Sequence, residues 1–210
     1  MRTKLLLITA AIGAASTLAL NAQVYSVNAV GYINLELKAG LNLVANQLDN
    51  GNGNTVVDVL AGVPDGTTVY KFSPDTGYTI NTYDASFDEW SDATMSLSPG
   101  EGFWVGVSED TTVTLVGEVP QGTLVNPIAA GINLISSIVP QAGGLVTDLG
   151  YPVADGDTVY KWENGSYVIS TYDAGFDEWS PSEPSIGVGE GFWILTANAV
   201  EWTRDFSVNE

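Results

Sequence analysis

SPGEGFWVGV (Ser98–Val107) returns as GVGEGFWILT (Gly187–Thr196), 89 positions further along the chain. In each copy a glycine-glutamate-glycine turn leads into aromatic and β-branched residues, the composition of a buried strand. Two more segments repeat. AGLNLVANQL (Ala39–Leu48) matches AGINLISSIV (Ala130–Val139), and VPDGTTVYKF (Val63–Phe72) matches VADGDTVYKW (Val153–Trp162). The offset drifts only from 91 to 89, so the chain is two homologous units of about 90 residues each. Their boundary falls in GEVPQGTLVNP (Gly117–Pro127), where Pro and Gly punctuate the chain. This predicts a first domain, with an N-terminal arm, over residues 23–119 and a second over 120–210.

Each unit reads as mostly strand. In TVYKF (Thr68–Phe72), Val69 and Lys71 face one way while Tyr70 and Phe72 face the other. In TTVTLVGEV (Thr111–Val119), Val113, Leu115, Gly117 and Val119 share a face against Thr112, Thr114 and Glu118. Turn signals (PDG, PDTG, ENG, PGEG) lie between the runs. Apolar residues recur at helical spacing in NTVVDVLAG (Asn54–Gly62) and GLVTDLG (Gly144–Gly150), one short helix per unit. The expected fold is mainly all-β: two tandem homologous β-sandwich or small β-barrel domains, each with one short helix.

The start of the chain sets the compartment. MRTK is basic, LLLITAAIGAASTLAL (Leu5–Leu20) is apolar, and NAQ follows, the layout of a secretory signal cut after Ala22. The apolar run is shorter than the roughly 20 residues that span a bilayer. Residues 1–22 are therefore expected to be a signal peptide. The mature protein is expected to be secreted, extracellular or at the cell surface, with the periplasm as the other compartment open to it. No membrane insertion is expected after cleavage.

Cleavage leaves four basic residues (Lys38, Lys71, Lys161, Arg204) against 25 acidic ones, a net charge of −21. Such a surface repels nucleic acid, which needs clustered Lys and Arg. It attracts cations. The chain has no Cys and no His, which removes disulfides, thiolate chemistry and the commonest general base.

Two adjacent acids then appear between aromatics, twice: YDASFDEWS (Tyr83–Ser91) and YDAGFDEWS (Tyr172–Ser180). A glycosidase needs two carboxyls flanking one bond, roughly 5–10 Å apart, and neighbours on a strand point to opposite faces. Glu101 and Glu190 are the other acids that could join them. The plainer reading is a polar turn, with Asp84 and Asp173 bonding their own backbone and the flanking Phe87 and Trp90 pinning the loop to the core. A Ca²⁺ site is the intermediate reading, with Asp84, Asp88 and Glu89 as ligands in one unit and Asp173, Asp177 and Glu178 in the other. DNGNGN (Asp49–Asn54) lacks the terminal Glu of a calcium loop and reads as a turn.

Six tryptophans offer a sugar-stacking alternative. Trp104 and Trp193, beside Phe103 and Phe192, suit core packing, whereas Trp90 and Trp179 at loop ends are the candidates for exposure and polysaccharide binding. Trp202 alternates with Arg204 and Phe206, and aligning the repeats sets Arg204 opposite Leu115, a charge on an apolar face.

VGYINLELKAGLNLVANQL, LSPGEGFWV, VGEVPQGTL and VPQAGGLVTDLGYPVADGDTVYKW resemble a family of secreted tandem-repeat β-rich proteins of environmental Gram-negative bacteria. The resemblance covers nearly all of the mature chain. Its motifs carry no chemistry, so it assigns no site residue.

Three functions follow in order of expectation. The first is a non-enzymatic structural or assembly protein of the cell surface or extracellular matrix, self-associating head to tail. In that reading the arm residues Tyr25, Val27 and Ala29 meet the closing strand that carries Trp202, Arg204 and Phe206. The alternative is an extracellular carbohydrate-binding module. The least favoured is a glycoside hydrolase using carboxylates alone. Lys71 and Lys161, each between aromatics in an otherwise acidic unit, are expected to pair with a nearby carboxylate in equivalent places.

Overall fold

The computed structural model describes residues 29–208. The signal peptide, Tyr25 and Val27 lie outside the described residues. The first unit contains β1 (Val30–Leu37), β2 (Gly40–Ala45), α1 (Val56–Val59) and β3 (Thr68–Ser73). It continues with β4 (Gly77–Asp84), β5 (Glu89–Trp90), β6 (Gly102–Val107) and β7 (Thr111–Glu118). The second contains β8 (Gly122–Ile128), β9 (Gly131–Ile135), β10 (Gly143–Gly144), β11 (Thr158–Glu163) and β12 (Ser166–Asp173). It ends with β13 (Glu178–Ser180), β14 (Ser185–Ile186), β15 (Phe192–Thr196) and β16 (Val200–Phe206).

Both units follow one plan. A five-stranded sheet runs β2-β6-β3-β4-β5 in the first and β9-β15-β11-β12-β13 in the second. A two-stranded antiparallel ribbon, β1-β7 or β8-β16, accompanies it. The fold is all-β and sandwich-like, and no sheet closes into a barrel.

The ribbon shows why the alternating pattern folds this way. Ile33, Leu35 and Leu37 of β1 and Val113 and Leu115 of β7 are buried in the first core. Across the opposite face, Thr114 donates to Asn34 at 2.8 Å and Thr112 to Glu36 at 2.9 Å. Beneath the ribbon, Val69, Phe103, Val105 and Val107 come from the sheet. The second core repeats the arrangement with Val159, Phe192, Ile194 and Trp202.

The helical stretches part company between the repeats. Val56 and Val59 anchor α1 by their apolar faces. In the second unit the equivalent chain makes one turn, in which Asp148 donates its N–H to Gly144 and Gly150 to Val146. No helix among the described residues is long and apolar enough to cross a membrane.

The units meet through the faces their sheets turn away from the ribbons. Leu43, Trp104, Leu134 and Trp193 are buried in a third cluster, with Tyr70, Phe72, Tyr160 and Trp162 packed against it. Its backbone contacts obey the repeat. Ala45 donates to the Gly189 carbonyl at 2.9 Å, and its counterpart Ser136 donates to Gly100 at 3.0 Å. Gly102 and Gly191 of the GEGFW copies sit at this joint. A Cβ on Gly102 would lie 2.8 Å from the Ile135 carbonyl oxygen, and one on Gly191 only 2.6 Å from that of Val44. Gln47, fully buried, completes the joint by donating to the Ser137 carbonyl at 3.1 Å and accepting from Gly189 N–H at 2.8 Å.

Candidate functional site

The doubled acidic motif forms a hairpin turn in each unit. Asp84 pairs across the hairpin with Glu89, and Asp173 with Glu178. The Asp84 carboxylate accepts Ser86 N–H and that of Asp173 accepts Gly175 N–H, both at 2.8 Å. Asp88 and Asp177 take a left-handed φ of 54° and 55°, a conformation Asp tolerates better than most residues. Their carboxylates accept the hydroxyls of Tyr83 and Tyr172, and these bonds raise both phenol pKa values above the ordinary value. Among the described residues no group of three or more acidic, His or Cys side chains gathers closely enough to hold a metal ion.

A test separates turn from cation site. Asp88→Ala with Asp177→Ala places alanine at a left-handed φ and removes the tyrosine acceptors. The expected cost is about 1–3 kcal/mol per loop. The drop in melting temperature should be the same in millimolar CaCl₂ and in EDTA. A calcium-dependent rise in the parent protein that the double variant loses would establish a cation at Asp84, Asp88 and Glu89 and their copies.

Glu101 and Glu190 bend back onto their own turns instead of joining the hairpins. Glu101 accepts Ser98 N–H at 3.0 Å and meets Lys71 at 2.9 Å. Glu190 accepts Gly187 N–H at 2.7 Å and meets Lys161 at 3.2 Å. The two lysines therefore pair in equivalent places, and partly exposed pairs of this kind contribute about 0–1 kcal/mol. The buried carboxyl of Asp157 accepts the Tyr151 hydroxyl at 3.2 Å. Burial, reinforced by Asp157, holds the Tyr151 phenol well above its ordinary pKa.

The tryptophans expected at the surface are inside. Trp90 is 6% exposed and Trp179 8%, their rings against Tyr83 and Tyr172 with centroids 5.5 Å apart. The short strands β5 and β13 alternate their side chains, so the tryptophan turns inward and its neighbouring acid outward. Phe87 does not pin the loop. It stands 74% exposed at the tip, and Phe176 77%.

Of the residues assigned to head-to-tail contact, Ala29, Trp202, Arg204 and Phe206 are described, and each is used within its own unit. The Ala29 carbonyl accepts Val119 N–H at 2.8 Å, extending the β1-β7 pairing. Trp202 is buried, and its indole N–H donates to Leu149 O at 2.9 Å. Arg204 donates to the Asp148 carbonyl at 2.9 Å and to the Gln141 side chain. Phe206 is half-buried on β16, opposite Gly122. Arg204 is held within its unit because the turn that stands where the first unit has α1 presents the Asp148 carbonyl to it.

The surface that sequence reasoning missed is aromatic and lies at the joint. Tyr78 packs edge-on against Phe72 at 5.3 Å and reaches Trp193 of the other unit at 6.3 Å. Its counterpart Tyr167 meets Trp162 at 5.0 Å and Trp104 at 6.5 Å. Tyr78 remains 51% exposed and Tyr167 44%. The available signal was the second apolar face of TVYKF, whose first face already supplies the unit's core.

A scan against protein-family models, a search of curated proteins and a search of solved structures each returned no match.

Proposed function

We propose that this chain is a secreted, non-enzymatic structural protein of the cell surface or extracellular matrix, able to associate head to tail. One observation carries the reading: the motifs that repeat are used to build the scaffold. GEGFW supplies the glycines of the joint and the glutamates that hold its turns. FDEW supplies hairpin turns and buried tryptophans.

Self-association has its own support. In the first ribbon β7 is bridged on its outer side by Asp49 at Glu118, whereas β1 has β7 as its one hydrogen-bonded neighbour strand, which leaves an edge to which a further strand can add. Beside the first ribbon's free edge, Val30, Tyr32 and Val116 stand exposed. Repetition of such a heterologous contact gives an open filament unless rotation closes it. The test compares residues 23–210 with residues 30–210 by light scattering and electron microscopy over a concentration series. Particles larger than a monomer are expected only with the arm present. Monomers throughout would end the assembly reading, and release of reducing sugar from a neutral polysaccharide would end the non-enzymatic one.

A further inference from the structure

The aromatic band at the joint belongs to neither unit's own core, and two grooves run along it. The larger, about 440 Å³, is lined by Leu41, Tyr70, Tyr78, Trp104, Trp162 and Tyr167. The smaller, about 250 Å³, is lined by Phe72, Ile132, Tyr160, Tyr167 and Trp193. They are counterparts in the repeat: Ile132 stands where Leu41 does, Tyr160 where Tyr70 does, and Trp193 where Trp104 does. Each takes one wall from the opposite unit, Trp162 in the larger and Phe72 in the smaller. Tyr167 lines both, so the grooves adjoin at its ring.

Three properties define what fits. The rings are held in place: Trp104 meets Trp162 at 5.1 Å and 82°, and Phe72 meets Trp193 at 4.9 Å and 71°. A fixed apolar wall loses little freedom when a ligand lies on it. Polar groups punctuate that wall. Four tyrosines bring phenol groups to the grooves. Finally, the lining is uncharged in a chain whose mature form carries four bases against 25 acids. Anionic ligands are repelled.

Apolar faces, hydroxyl-sized polar partners and no charge are the complement of pyranose rings. The geometry points to a binding site for a neutral polysaccharide along the joint, with Tyr78 and Tyr167 as its exposed platforms and Trp104, Trp162 and Trp193 behind them. This rests on the reading that the chain is exported to where polysaccharide is met. The larger groove sits near the lower end of small-ligand sites, roughly 300–1,000 Å³, and the smaller just below it, so together they accommodate a short run of sugars. Because they adjoin at Tyr167, a strand of polymer spanning both makes two contacts with one chain, which raises its residence without any new contact type.

The test is calorimetric titration of residues 23–210 with cellohexaose, laminarihexaose and mannohexaose, followed in parallel by tryptophan fluorescence, with polygalacturonate as the charged comparison. Saturable binding to a neutral hexasaccharide is expected, with a fluorescence change. Tyr78→Ala and Tyr167→Ala each weaken it about tenfold or more, as central aromatic contacts do. Tyr78→Phe retains most of the affinity. Leu41→Asp, on the half-exposed rim, keeps the parent's circular dichroism and melting temperature yet loses binding by placing a charge in the groove. No heat and no fluorescence change with all three neutral sugars at millimolar concentration would overturn the proposal. So would affinity unaltered by Leu41→Asp, preference for polygalacturonate, or a dimer that Leu41→Asp abolishes. The light-scattering comparison with and without the arm does not involve these residues, so failure here and failure of the structural reading are seen separately.

Discussion

Gly191→Ala should lower the stability of the folded chain by about 1–3 kcal/mol and split its melting into two steps. The added Cβ would lie 2.6 Å from the Val44 carbonyl oxygen and 3.2 Å from the Gly102 Cα. Both obstacles are backbone, so no side-chain rotation relieves them. The joint must open, and with it the hydrogen bond from Ala45 to Gly189 and the packing of Leu43, Trp104, Leu134 and Trp193. Each unit keeps its own core, so two separate transitions replace one cooperative unfolding. Gly102→Ala should act in the same direction, since its Cβ would press on the Ile135 backbone. Gly175→Ser is the control: it restores the residue that the first repeat carries as Ser86, in an exposed turn. Calorimetry decides the matter. An unsplit, unshifted transition for Gly191→Ala would mean that the units are not held by this contact.

Trp202→Ala should cost about 3–5 kcal/mol, the range for truncating a large buried aromatic. Its ring packs against Tyr151 with centroids 5.6 Å apart and against Phe192 at 6.4 Å. Its N–H would leave Leu149 O without a donor. The damage should be local. Hydrogen exchange should accelerate most in β8, β15 and β16 and least in β1, β6 and β7, because the two cores share no buried residue. A variant of unchanged stability but altered particle mass would return Trp202 to an assembly surface.

Repetition was legible down to single residues, because turns and strands of the same length recur in order. GEGFW is an example. Its strand character follows from composition, and the burial of Phe103 and Phe192 follows from alternation. That Glu101 meets Lys71, and Glu190 meets Lys161, agreed with charge counting: two isolated bases among many acids have partners in every direction. The FDEW turns were legible for a similar local reason, since an Asx turn is written in a few neighbouring residues.

Direction was not legible where it depended on a distant partner. Trp90 and Trp179 lie at loop ends, yet a strand of two or three residues pairing with Tyr83 or Tyr172 turns each of them inward. Arg204 reads as a charge on an apolar face. It is instead the donor to the Asp148 carbonyl, 56 residues earlier in the chain, at a turn where the first repeat has a helix.

Local pattern therefore accounts for the all-β class, the duplication, the turn chemistry and the inward faces of each unit. Those properties depend on residues a few positions apart, and their periodicity is carried by the chain itself. The joint between the units and the aromatic grooves on it belong to tertiary structure alone. An apolar second face on a strand says only that something covers it. Tyr78 comes to lie against Trp193 and Tyr167 against Trp104 because the glycines at 102 and 191 let two backbones approach closely, and no spacing within either repeat encodes that meeting.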